Sequence, residues 1–141
     1  MPEKSTTPDL VELGRRSIEA ANGGDVDAML SFFTPDAVWD LSPVGLGTFG
    51  GRAAIRNFLE DAFGAYEEFE TKAEEVHEVG NGVNWAIISL NGRPVGSSGY
   101  VQLRYAAVSI WRRDGLAERT TNYTDIDEAR AAAERLAEER G

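Results

Sequence analysis

Apolar residues recur at helical spacing near the start of the chain. Leu10, Leu13, Ile18 and Ala21 follow a period near 3.6, and Asp9 stands where a cap is needed, so a helix is predicted there. Asn22-Gly23-Gly24 stops it, because glycine tolerates the left-handed backbone of a helix end. Asp25 caps a second, short helix with Val26, Met29, Leu30 and Phe33 at i, i+3, i+4 and i+7. Thr34-Pro35-Asp36 breaks that pattern, and Ala37 to Leu41 reads as a short strand. Residues 42–51 hold Pro43, Gly45, Gly47, Gly50 and Gly51 and read as a loop. Val44, Leu46 and Phe49 in that loop are expected to fold back over something apolar. The strongest helical stripe follows, with Ile55, Phe58, Leu59, Ala62, Phe63 and Tyr66 on one face.

From Glu67 the period changes to that of strands. Four β segments are predicted: about 68–79, ending at Gly80-Asn81-Gly82; 83–90, turning at Asn91-Gly92; 99–113, ending at Asp114-Gly115; and 116–124. Asp125 caps a C-terminal helix over 125–140, where Arg130 and Glu134 can pair at i, i+4. The order is α-α-β-α-β-β-β-β-α, an α+β domain spanning 9–141 behind a flexible tail of residues 1–8. A curved antiparallel sheet packed against the N-terminal helices leaves room for a cavity on its concave face. On the long strand Leu103, Tyr105, Ala107, Ser109 and Trp111 share one face, and Ala106, Val108 and Ile110 share the other. Two apolar faces fit a cavity on one side and a homodimer partner on the other.

Composition narrows the chemistry. The chain has 141 residues, is 42% hydrophobic and carries a net charge of −10, which disfavours nucleic acid and anionic membrane as partners. It has no cysteine and a single histidine, His77, so thiol chemistry and multi-histidine metal sites are excluded. The start of the chain is polar and no stretch approaches a membrane span, so a cytoplasmic protein is expected. His77 and the Glu67-Glu68 and Glu74-Glu75 pairs read as a solvated strand face.

Five pieces in this order resemble the nuclear transport factor 2-like superfamily. They are Asn22-Gly23-Gly24-Asp25 between the first helices, Phe32-Phe33-Thr34-Pro35-Asp36-Ala37-Val38-Trp39, Gly51-Arg52-Ala53-Ala54-Ile55, Trp111-Arg112-Arg113-Asp114-Gly115 and Tyr123-Thr124-Asp125. Within the superfamily the chain looks most like the SnoaL-like group, which holds polyketide cyclases. The resemblance implies a cone-shaped, cystatin-like α+β barrel, an apolar pocket at one end and homodimers formed through the sheet. It implies no single reaction, since this fold hosts isomerases, hydrolases, dehydratases, cyclases and binders.

The relatives' catalytic sets do not carry over. Asp40 stands near the place of the ketosteroid isomerase base, but Ser17 and Ala106-Ala107 replace the oxyanion-hole tyrosine and acid. Ile88-Ser89-Leu90 and Asn122 stand where a limonene epoxide hydrolase would have its charged groups. Scytalone dehydratase chemistry needs more than one pocket histidine.

Asp40 remains the candidate base. A carboxylate between Trp39 and Leu41, facing an apolar cavity, would have a raised pKa suited to proton abstraction. If Trp39 and Leu41 face inward instead, Asp40 faces solvent or an arginine. Trp39, Trp85, Tyr105 and Trp111 either line a pocket for a flat molecule or are core packing. Arg119 either pairs with an acid such as Asp40 or holds a substrate oxygen, and Asn122 and Tyr123 complete the candidate set. The expected function is binding of a small hydrophobic, polyketide-, steroid- or terpenoid-like molecule, with cyclase or isomerase proton transfer by Asp40. The alternative is a non-catalytic binding or dimerisation module. No metal and no organic cofactor is expected.

Overall fold

The computed structural model describes residues 9–22 and 24–141. The expected tail at 1–8 lies outside the described residues. Helix α1 (Leu10–Glu19) starts where the Asp9 carboxylate accepts from the backbone N–H groups of Val11 and Glu12. Asp25 caps α2 (Val26–Leu30) by accepting from Ala28. This helix is shorter than its apolar stripe suggested, because Phe33 already belongs to strand β1 (Phe33–Asp40). Thr34-Pro35-Asp36 does not end an element. It forms an irregularity inside β1, where pairing shifts register between Phe33 and Val38, and proline is tolerated where the ladder is interrupted. The Arg52 guanidinium donates to the Phe33 carbonyl and anchors this bulge to the start of α3 (Arg52–Gly64).

The glycine-rich loop is partly ordered. A 3-10 turn, Ser42–Val44, leads into a short strand β2 (Thr48–Gly50) that pairs antiparallel with β1. In α3 the buried residues are Ile55 and Leu59, while Tyr66 is the first residue of β3 (Tyr66–Gly80) rather than the end of the helix. Strands β3, β4 (Val83–Pro94), β5 (Val101–Trp111) and β6 (Ala117–Tyr123) form the expected antiparallel meander. Strand β1 joins β6 in parallel, giving the order β2-β1-β6-β5-β4-β3.

The β4–β5 hairpin turns later than its local signal predicts. Asn91-Gly92 is not a turn, since Gly92 pairs with Val101 and the strands run on to Pro94. Gly92 is required by close packing: a Cβ there would lie 2.8 Å from a Tyr66 ring carbon. The turn expected at Gly80-Asn81-Gly82 between β3 and β4 is present: Gly80 pairs with Val83, and Asn81 and Gly82 both have positive φ (56° and 79°), the geometry of a two-residue type I′ hairpin.

Helix α4 (Ile126–Arg140), capped by Asp125, lies across the outer face of the sheet. Its Ala129, Ala133 and Ala137 pack on Val83, Trp85, Ile87, Ala106 and Val108. The face expected to receive a second copy is therefore covered there by the chain's own helix, because a stripe of alanines lets the helix approach closely. Arg130 pairs with Asp127 at 3.7 Å, not with Glu134. Among the described residues no helix is long and apolar enough to cross a membrane.

Candidate functional site

Strand alternation sorts every central side chain onto one of two faces. Asn84, Ala86 and Ile88 of β4, Tyr105, Ala107, Ser109 and Trp111 of β5, and Thr120 and Asn122 of β6 face inward. With α1, Met29, Phe32, Phe33 and Trp39 they enclose a hollow of about 90 Å³. That is well below the roughly 300–1,000 Å³ of pockets for drug-sized ligands. A polycyclic molecule does not fit this hollow in the conformation described.

Most polar groups on its wall are already paired. The Trp39 indole N–H donates to Asn122 Oδ1 at 3.1 Å, and its ring stacks on Phe33 and meets Phe58 edge-on. The Trp111 indole N–H donates to Asn84 Oδ1 at 3.0 Å, while Asn84 Nδ2 donates to the Leu10 carbonyl at 2.8 Å. Ser109 and Thr120 hydroxyls bond each other at 2.8 Å. Thr71 Oγ1 donates to the Ile18 carbonyl at 2.9 Å. Two lining groups are left without a hydrogen-bond partner among the described residues: the Tyr105 hydroxyl and the Asn122 Nδ2 amide. Among the described residues no polar side-chain atom is both fully buried and unpaired, so both groups keep some accessible surface, and both residues line the hollow. Ala107 pairs with Asn122 across β5 and β6, which makes Tyr105 and Asn122 diagonal neighbours on one face. Burial pushes the Tyr105 phenol up to about 12, with Tyr66 adding to the shift, so its hydroxyl remains a donor at neutral pH. Among the described residues Tyr105 is the one ionisable side chain on this wall.

The candidate residues divide by face. Trp39, Tyr105, Trp111 and Asn122 come together at the hollow. Trp85 does not: it lies in the core beneath α4, stacked on His77 with ring centroids 4.7 Å apart. Arg119, Tyr123 and Asp40 also lie on the outer face. Because Trp39 points in, its neighbour Asp40 points out, so the expected base does not reach the hollow. Its environment is also opposite to the one expected. The Ser42 hydroxyl donates to Asp40 at 2.6 Å, the Ser42 backbone N–H at 2.9 Å, Thr48 at 3.1 Å and Arg119 at 3.0 Å. Those bonds, the Ser42 hydroxyl foremost, hold the carboxyl below its ordinary value of 3.8 despite partial burial. The native state thus favours the carboxylate, and the resulting stability is present above 3.8 and lost as pH falls through the lowered native value. Urea unfolding of the wild type and Asp40→Asn as a function of pH checks this. The wild type's advantage is expected to shrink below 3.8, and an advantage that persists unchanged to about pH 2 would refute the assignment.

Asn84 and Thr120 were missed as wall residues. The available signal was a polar residue at inward parity in an otherwise apolar strand. Among the described residues no group of three or more His, Asp or Glu side chains is placed to hold a metal ion.

A bent sheet closed by two N-terminal helices around one small hollow defines a nuclear transport factor 2-like cone. Residues 14–120 match the SnoaL-like domain, and the chain belongs to that family. Among solved structures it is similar to a chain from Xanthomonas campestris pv. campestris provisionally named a polyketide cyclase. They share 28% identity over 88% of this chain and 96% of that one, with a TM-score of 0.68. TerC co-crystallised with polyporic acid is 22% identical over 89% of this chain and 97% of that one, with a TM-score of 0.69. A protein of unknown function from Burkholderia pseudomallei K96243, with the nuclear transport factor 2-like fold, is 21% identical over 92% and 98%, with a TM-score of 0.69. No curated protein matches this chain in sequence.

Proposed function

We propose that this protein binds a small, neutral, mostly apolar molecule carrying an acceptor oxygen in the hollow of the cone. The observation that carries the reading is the pair of uncommitted donors, Tyr105 Oη and Asn122 Nδ2, on one apolar wall. A ligand carbonyl would satisfy both. A charged ligand would find no counter-ion there, and burying an unpaired charge is far costlier than burying a carbonyl.

Cyclohexanone, compared with methylcyclohexane, is a suitable probe for thermal-shift and tryptophan-fluorescence titrations. Cyclohexanone is expected to raise the melting temperature more. Tyr105→Phe is expected to weaken its binding by about three- to tenfold, the worth of one neutral hydrogen bond. Asp40→Asn is expected to leave binding unchanged. Equal affinity for both probes, or for wild type and Tyr105→Phe, would sink the reading.

The likeness to the Xanthomonas chain supports a second reading, cyclase- or isomerase-type proton transfer on such a ligand. The Tyr105 and Asn122 donors would then hold the developing enolate oxygen. Among the described residues the lining offers no carboxylate or imidazole, so the base would have to come with the substrate or from solvent.

A further inference from the structure

The hollow of the cone is not the most spacious site in this protein. On the opposite face a groove of about 320 Å³ runs between α4 and the outer side of β5, β6 and β1. That volume is within the roughly 300–1,000 Å³ range of ligand pockets. It exists because α4 packs over β4 and β5 and leaves the outer side of β6 and β1 largely uncovered. Val108 and Ile110 line it from the sheet and Leu136 from the helix, so one part is apolar.

The polar part has more donors than acceptors. Arg119 commits its Nη2 to Asp40 and makes no other side-chain bond among the described residues. Arg135 lines the groove and has no ion pair or hydrogen bond among the described residues. The hydroxyls of Thr121 and Tyr123 are likewise uncommitted among them. Burial raises the Tyr123 pKa, so its hydroxyl keeps its proton; the Glu128 and Asp40 carboxylates add to that shift, and Arg135 and Arg119 oppose it. Of the two acids on the wall, Asp40 already accepts from Ser42, Thr48 and Arg119, and Glu139 is exposed. Two guanidinium groups against two carboxylates leave the lining formally neutral, which suits a singly charged ligand better than a dianion such as phosphate.

We propose that this groove binds an organic monoanion, a carboxylate on a ring-sized apolar body, with Arg135 and Arg119 recognising the carboxylate and Val108, Ile110 and Leu136 receiving the body. The site is independent of the hollow, since no residue lines both. Arginine suits the role because its planar fork matches a carboxylate.

The probe is 2-naphthoate, titrated into the isotope-labelled full chain and followed by amide NMR, with neutral 2-naphthamide as the control. Shifts are expected to concentrate at residues 119–123 and 132–139. Arg135→Ala is expected to weaken naphthoate binding by roughly ten- to hundredfold, as for loss of a charge-assisted bond, and naphthamide to bind correspondingly worse. Arg135 is exposed on a helix where alanine is a good helix former, so the variant should fold, and Arg135→Gln offers a second test. Absence of shifts at these residues at millimolar naphthoate would overturn the proposal. So would unchanged affinity in folded Arg135→Ala or Arg135→Gln. Loss of naphthoate binding in Tyr105→Phe with retention in Arg135→Ala would move the ligand to the hollow, and would also overturn it.

Discussion

Replacing Trp111 with alanine is expected to lower the unfolding free energy by about 3–5 kcal/mol, the range for truncating a buried tryptophan. The residue is 5% exposed and belongs to the cluster of Leu10, Phe33, Ile55, Leu59 and Ala117 that joins the helices to the sheet. Three effects add: lost burial, the cavity left behind, and loss of the indole N–H donated to Asn84 Oδ1. One effect opposes them. Trp111 borders the hollow, so the space it vacates merges with an existing one that water can enter, and this favours the lower end of the range. Urea denaturation measures the loss. A value under about 1 kcal/mol would mean that the indole does not pack as described.

Asn84→Ala is expected to cost about 2–5 kcal/mol although it removes only a small polar side chain. The amide bridges two elements: it donates to the Leu10 carbonyl at the start of α1 and accepts from Trp111. Its loss leaves the buried indole N–H unpaired, worth about 1–3 kcal/mol of desolvation, and removes the second bond to the Leu10 carbonyl, worth about 0.5–1.5 kcal/mol, that carbonyl keeping its intrahelical bond from Gly14. Gly14 is where α1 makes space for this bridge, since a Cβ there would lie 2.9 Å from Asn84 Nδ2. Chemical denaturation gives the value, and a double-mutant cycle with Trp111→Phe gives the test of mechanism. The two losses are expected to be less than additive, because both remove the same bond. Full additivity would show that Asn84 and Trp111 act separately.

These two residues illustrate how unevenly the site could be read in advance. Trp111 stood out as a large aromatic in an apolar strand. Asn84 did not, since a single asparagine between Val83 and Trp85 has no local signature of a bridge. The caps at Asp9, Asp25 and Asp125 were legible because each acts on backbone only two or three residues away. Asn91-Gly92 misled for the complementary reason. Its dipeptide is a strong local turn signal, yet Gly92 serves a contact with Tyr66 that no local pattern reports.

Element order, the meander and the pairing of faces along each strand were written in periodicity, which is a property of neighbouring residues. The period of two required Trp39 and Asp40 to face opposite ways, and Arg119 to part from Asn122 by an odd number of steps. It could not say which side was inside. That was decided when β1 paired in parallel with β6 and α4 closed over the other face, contacts between residues far apart in the chain. The same packing set the hollow at about 90 Å³ and left a groove of about 320 Å³ beside α4, because side-chain volumes add up only once the layers meet.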